Sequence, residues 1–173
     1  MSNEEIDSVD RNILMELGMN SRISASELAT RIGLARQSVT ERIDRLRATG
    51  VIRRFTLALD PEKIGMSVRA YIAITMMPHC SEEEERGVIR LLERDPFVQE
   101  CYRVTGEDYF QVRVVAPGIE EIKNLVLILR ATKVVQNTRT MLALETLFEK
   151  SALCLQSDPL SEPTAWSGES TQE

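Results

Sequence analysis

The chain has one histidine, three cysteines and no apolar run long enough to cross a bilayer. Each shortage excludes a class of function. Cys80, Cys101 and Cys154 are odd in number, far apart and form no C-x-x-C, so reduced thiols are expected rather than a disulfide framework. His79-Cys80 is the one His–Cys neighbour pair, too few ligands for a zinc site. A single His also leaves no Ser/His/Asp or Cys/His constellation, and no glycine-rich phosphate loop appears. No charged–apolar–small pattern opens the chain, so no secretory leader is expected. These absences predict a cytoplasmic protein that is not an enzyme and holds no metal or cofactor.

What is present is a charge asymmetry. The 173 residues carry a formal net charge of −6. Yet Arg22 to Arg54 holds eight arginines against three acids (Glu27, Glu41 and Asp44), a local +5 that leaves −11 for the rest. A basic segment on an acidic protein suits phosphate contact, because each neutralised phosphate releases condensed counterions. Every cation in the segment is Arg, whose fork can read guanine or clamp a phosphate.

The same stretch reads as two helices joined by a tight turn. Ser24 with Glu27 three residues later is a capping-box pattern. Leu28, Ala29 and Ile32 follow at helical spacing, and Gly33 suits a helix end that needs positive φ. A second helix begins near Ala35 and turns Val39, Ile43 and Leu46 inward. At about 100° per residue, Gln37, Glu41 and Asp44 then fall on the opposite face, flanked by Arg36 and Thr40 on one side and Ser38 and Arg45 on the other. Thr49-Gly50 closes this helix, and Val51 to Phe55 reads as a strand. A preceding helix from Asp7 or Ser8 would bury Val9, Ile13, Leu14 and Leu17.

Beyond a connector with Asp60-Pro61 and Gly65, the period changes. Strands are expected at Val68–Met76, Phe97–Val104, Tyr109–Val115 and Val134–Leu147. Helices are expected at Ser81–Asp95, with Ser81 as N-cap and an acidic first turn, and at Gly118–Ala131. The order is βαββαβ, the split-βαβ pattern. The fold class is therefore α+β: a winged helix-turn-helix over 1–54, a connector over 55–67 and a ferredoxin-like domain over 68–150. The Ser/Pro/Glu-rich stretch 156–173, with Trp166, is expected to be disordered.

Several short motifs carry a resemblance. Ile6-Asp7-x-x-Asp10-Arg11-x-Ile13-Leu14, Arg22-Ile23-Ser24, Glu27-Leu28, Gly33-Leu34, Arg42-Ile43-x-Arg45-Leu46 and Gly50-Val51-Ile52 are followed by Asp60-Pro61, Gly65, Thr105-Gly106 and Thr138-x-Thr140. In order and spacing they resemble the Lrp/AsnC (feast/famine) transcriptional regulators, over about residues 6 to 150. The resemblance implies a protein that binds double-stranded DNA. Arg36, Gln37, Ser38, Thr40 and Arg45 would be groove or phosphate contacts, with Arg42 and Arg53 reaching phosphates. It implies dimers formed through the sheet, assembling into tetramers, octamers or larger rings. It also implies an amino-acid effector near the β2–β3 turn and last strand, where Gly106, Glu107, Asp108, Tyr109, Thr138 and Thr140 stand.

The sequence departs from the family pattern at three places. Ala35 replaces the usual Ser cap of the reading helix, which should cost on the order of 1 kcal/mol. The β2–β3 turn, often Gly-x-x-Asp-Tyr, is Gly106-Glu107-Asp108-Tyr109, so Tyr109 takes the Asp position if Pro117 stays in register. Ala131-Thr132-Lys133-Val134 lacks the usual Pro-Gly. Two other functions share parts of this plan. Tetrapyrrole (siroheme-type) decarboxylases reuse it but would need His and Arg around the substrate's carboxylates. An architectural DNA-compacting protein would need more phosphate contacts than this modest charge supplies.

Overall fold

The computed structural model describes residues 6–149, which fall into two compact units that meet between Ala58 and Leu59 in the sequence. The tail over 156–173, with Trp166, and Cys154 lie outside the described residues.

The first unit has three helices: α1 (Ser8–Met19), α2 (Ala25–Ile32) and α3 (Arg36–Ala48). Asp7 caps α1 in a full capping box with Asp10. Ser24 caps α2 by accepting from the Glu27 amide at 3.1 Å, but only half of the expected box forms, because the Glu27 carboxylate turns to Arg31 instead. Gly33 sits at φ 77°, the left-handed conformation expected of it, and closes the turn into α3. Ile13, Leu17, Ile23, Leu28, Ala29, Val39 and Leu46 form the core, with Ile43 half-buried beside them. Each large side chain fully buried there contributes roughly 1.5–3 kcal/mol.

The strand expected at Val51–Phe55 does not form, so the unit is a helix-turn-helix without a wing strand among the described residues. An extended segment becomes a strand only when a neighbouring strand takes up its N–H and C=O groups; among the described residues none does, and the Ile52 N–H instead donates to the Leu46 carbonyl at 2.9 Å. The start of α3 bears out the departure at Ala35: the residue has N-cap dihedrals (φ −69°, ψ 141°) but no side-chain cap bond. Ala35→Ser should therefore add about 1 kcal/mol of stability. It would appear as a higher urea midpoint at unchanged m-value.

The second unit is an antiparallel sheet in the order β2-β3-β1-β4, built from β1 (Val68–Met76), β2 (Val98–Arg103), β3 (Phe110–Ala116) and β4 (Val135–Leu142). α4 (Glu82–Arg94) and α5 (Ile119–Ala131) complete the βαββαβ order. β4 ends at Leu142 rather than Leu147, where its pairing with Ala70 on β1 runs out. Ser81 and Glu84 form a full capping box at α4.

Alternation sets the faces. Ala70, Ile72 and Ile74 on β1 and Phe110, Val112 and Val114 on β3 pack against Val88 and Leu92 of α4 and Ile122, Leu125 and Leu129 of α5. Both helices thus cover one face, and Tyr71, Tyr102 and Met141, from the alternate positions, stay exposed on the other. Where the family's Pro-Gly is missing, Lys133 takes φ 60°, a left-handed conformation that costs a side-chain-bearing residue roughly 1–2 kcal/mol.

Candidate DNA-reading helix and effector turn

In the helical unit, the inward row Val39, Ile43 and Leu46 leaves Arg36, Gln37, Thr40, Glu41 and Asp44 exposed on α3, with Ser38 half-buried at their margin. Gln37 donates to Glu41 at 3.0 Å, which orients its amide, and Thr40 donates to the Arg36 carbonyl at 3.1 Å. The Arg36 side chain has no partner among the described residues, and neither has that of Arg53, exposed beyond the helix. Arg47 makes only a long contact with Asp44, at 3.8 Å between two exposed groups.

Arg42 and Arg45 make contacts that the sequence did not foresee. They point back to α1, where Arg42 Nη1 donates to Asp7 at 2.6 Å and to Asp10 at 2.8 Å, and Arg45 Nη2 donates to Asp10 at 2.5 Å. The bond from the Asp10 amide, followed by the Arg42 guanidinium, holds the Asp7 carboxyl below the usual carboxylate range. Asp7 and Asp10 were not foreseen as partners. A signal was available, since Asp10 falls in the stripe of Ile13 and Leu17, so it had to be buried and paired.

In the second unit the expected effector residues gather at one end of the sheet, on both of its faces. Gly106 takes φ 114°, which the turn between β2 and β3 requires. Tyr109 donates its backbone N–H to the Ile74 carbonyl at 2.8 Å, and Ile74 pairs with both Phe110 and Thr138. Thr138 therefore lies two strand spacings from Phe110, about 10 Å. By register Thr138 and Thr140 share the helix-covered face with Ile74 and Ile72, and Thr138 accepts from Arg130 at 3.3 Å. Asp108 lies toward the uncovered face, accepting from Arg139 at 2.7 Å and from Thr75 at 3.4 Å. Glu107 is exposed on the turn. Arg139, missed in the sequence, bridges β4 to the turn because it points to the face opposite the two threonines that flank it.

Tyr109 faces α4. Its hydroxyl donates to Glu85 at 2.8 Å and accepts from Arg103 at 2.7 Å, while Arg103 also binds Glu85 directly. The Arg103 guanidinium lies 4.9 Å from the Tyr109 ring centre. Hydrogen bonds from Arg103 and then Tyr109 lower the Glu85 carboxyl below its ordinary range. A lowered folded-state pKa gives stability that is present above the unfolded value, about 4, and is lost as pH falls through the folded one. Unfolding midpoints in urea should thus drop between roughly pH 5 and pH 3, and Glu85→Gln should flatten that drop.

Two surface clefts of about 350 and 600 Å³ lie elsewhere, one beside Arg69 and Glu145, the other between Arg90 and Ile128. Neither touches the turn. Among the described residues no group of three His, Cys, Asp or Glu could hold a metal ion.

Comparison with known proteins agrees with both halves. Residues 6–47 match the AsnC-type helix-turn-helix domain, and residues 69–153 match the Lrp/AsnC ligand binding domain. The HTH-type transcriptional regulator LrpA of Mycobacterium tuberculosis is 31% identical over 146 residues, covering 84% of this chain and 95% of its own. The chain belongs to the Lrp/AsnC family. As a family member it is a helix-turn-helix transcriptional regulator that binds DNA. A second Lrp/AsnC relative, LrpC of Bacillus subtilis, is 31% identical over 122 residues, covering 70% of this chain and 82% of its own. Among solved structures, a feast or famine regulatory protein from M. tuberculosis complexed with L-methionine superposes with a TM-score of 0.78 at 30% identity, covering 86% of this chain and 99% of that one. An AsnC family regulator from Agrobacterium tumefaciens gives 0.78 at 28%, covering 85% and 95%. No helix of the described residues is long and apolar enough to cross a membrane.

Proposed function

We propose that this Lrp/AsnC regulator reads its DNA with Arg36, Gln37, Ser38 and Thr40, and that an amino acid bound at the β2–β3 turn modulates that binding. The exposed start of α3 carries the first part. Among the described residues Arg36 stands there without a competing carboxylate, beside side chains that can donate to and accept from base edges. The N-terminal residues of a reading helix are those that meet the bases, and Arg53 beyond the helix adds a phosphate contact.

The turn carries the second part. Asp108 offers a carboxylate to an ammonium group and Arg139 a guanidinium to a carboxylate, 2.7 Å apart at the sheet end. Open space stands where a side chain at Gly106 would be, Glu107 is exposed on the same turn, and Tyr109, Thr138 and Thr140 lie behind them toward the helix-covered face. The methionine complex of the M. tuberculosis protein favours an amino-acid ligand.

The exposed Tyr71, Tyr102 and Met141 on the uncovered face suit dimerisation through the sheet, with tetramers or octamers built from such dimers. Two-fold symmetry then asks for half-sites about one helical turn apart, or a multiple. Such a regulator acts in the cytoplasm, without catalysis. Thermal-shift measurement with each of the twenty amino acids tests the effector reading. One or a few should raise the melting temperature as their concentration passes the dissociation constant. A flat response to all twenty would remove the effector from the account.

A further inference from the structure

We infer that Asp10 is a positioning residue of the DNA-reading helix, which fixes α3 against α1 and withholds Arg42 and Arg45 from DNA phosphates. The inference rests on α3 being the helix that meets DNA. Apart from Arg11, from Arg31 on Glu16 and Glu27 and from Arg47 near Asp44, two sets of arginines contrast in the helical unit. Arg22, Arg36, Arg53 and Arg54 are exposed, and none has a carboxylate partner among the described residues. Arg42 and Arg45 form the second set, both turned toward the start of α1.

Asp10 is fully buried, at 0% exposure. One of its oxygens accepts from Arg42 at 2.8 Å; the other accepts from Arg45 at 2.5 Å and from the Asp7 amide at 3.3 Å. Asp7 closes the cluster, taking Arg42 at 2.6 Å and the Asp10 amide at 2.7 Å. Two carboxylates thus neutralise two guanidiniums. Three hydrogen bonds tie the start of α1 to the second half of α3, and two more lock Asp7 and Asp10 to each other. A phosphate could capture Arg45 only by leaving part of a buried carboxylate uncompensated, which is strongly unfavourable.

Two consequences follow for recognition. Guanidinium forks engaged on α1 cannot reach across to DNA, so the pose of α3 is fixed before contact. The positive charge that DNA sees is also smaller than the sequence implies, which lowers sequence-independent binding in favour of base reading. An acid placed on the inner side of a basic helix therefore raises selectivity without touching DNA.

The test is the salt dependence of binding to a scrambled duplex of about three helical turns, followed by fluorescence anisotropy between roughly 50 and 200 mM KCl. Each phosphate contact contributes about 0.9 to the slope of log K against log salt. Arg45→Gln should leave the slope of the parent unchanged. Asp10→Asn, which keeps the shape but frees Arg45, should steepen it by about one and tighten scrambled-duplex binding about threefold at the low-salt end. Helicity by circular dichroism checks the folding of each variant. A merely structural Asp10 would lower the melting temperature without steepening the slope, and that result overturns the inference. So does an Arg45→Gln slope shallower by about one, which would make Arg45 a phosphate contact. Should Asp10→Asn fail to fold, the Arg45→Gln slope decides alone. Absence of duplex binding by the parent chain would instead strike the reading of α3 itself.

Discussion

Arg36→Ala will weaken binding to a cognate duplex by roughly ten- to a hundredfold, the effect of about 1–3 kcal/mol for a lost bidentate base contact. Position and freedom both single out this residue. Arg36 is the first residue of α3, the end of a reading helix that enters the groove. Its guanidinium is exposed and has no acid to leave among the described residues, whereas Arg42 and Arg45 would have to abandon Asp7 and Asp10. Arg47 is an internal control: it sits on the same helix, is 60% exposed and makes only the 3.8 Å contact with Asp44. An exposed pair of that kind contributes little, so Arg47→Ala should change affinity far less. The duplex is found by selection from a random library, and affinities are compared with a scrambled sequence. A base contact at Arg36 predicts that the selected duplex loses more than the scrambled one. Equal affinities for parent and variant on both duplexes would remove Arg36 from the interface.

Asp108→Asn will weaken the amino acid found by thermal shift at least tenfold, because hydrogen bonds to charged groups contribute about 1.5–3 kcal/mol. Asp108 is 23% exposed, open enough to be approached and enclosed enough for its charge to matter. Arg139 and Thr75 hold its two oxygens, so the carboxylate is already aimed where an ammonium group would meet it. The asparagine keeps size and shape but loses the charge. Glu107, one residue earlier and exposed on the turn, has no side-chain partner among the described residues to orient it, and Glu107→Gln should leave the dissociation constant near that of the parent. Calorimetric titration of both variants measures the contrast. Identical constants for Asp108→Asn and the parent would move the ligand away from this turn.

Local chemistry made most of the fold readable. Ser24, Gly33 and Ser81 marked helix ends through groups that satisfy free backbone donors or accept positive φ, and all three act so. The switch from helical to two-residue periodicity after Gly65 located βαββαβ, with strand ends displaced by a residue or so except at β4. What failed depended on partners. Val51 to Phe55 has strand-like composition, but pairing is a property of two segments, and no second one meets it among the described residues. Glu27 had two possible partners, its cap and Arg31, and spacing could not choose between them. For the site, period two shows that Thr138 and Thr140 share a face, while only the register with Ile74 and Ile72 shows which. The ion pairs of Arg42 and Arg45 were hidden for a similar reason: their acids lie more than thirty residues earlier in the chain. An aspartate within an apolar stripe was the available clue.

The central claim is that this chain reads sequence through α3 and adjusts that reading to an amino acid. Titration of the full chain onto the selected and the scrambled duplex, with and without the stabilising amino acid at fixed salt, tests it most directly. The account predicts a selected-to-scrambled affinity ratio of roughly a thousandfold or more, in the range of specific regulators. It also predicts that the amino acid shifts this ratio by about five- to a hundredfold, the span of ordinary coupling between sites. A ratio near one, unmoved by the amino acid, would contradict it and leave a protein that coats DNA without reading it.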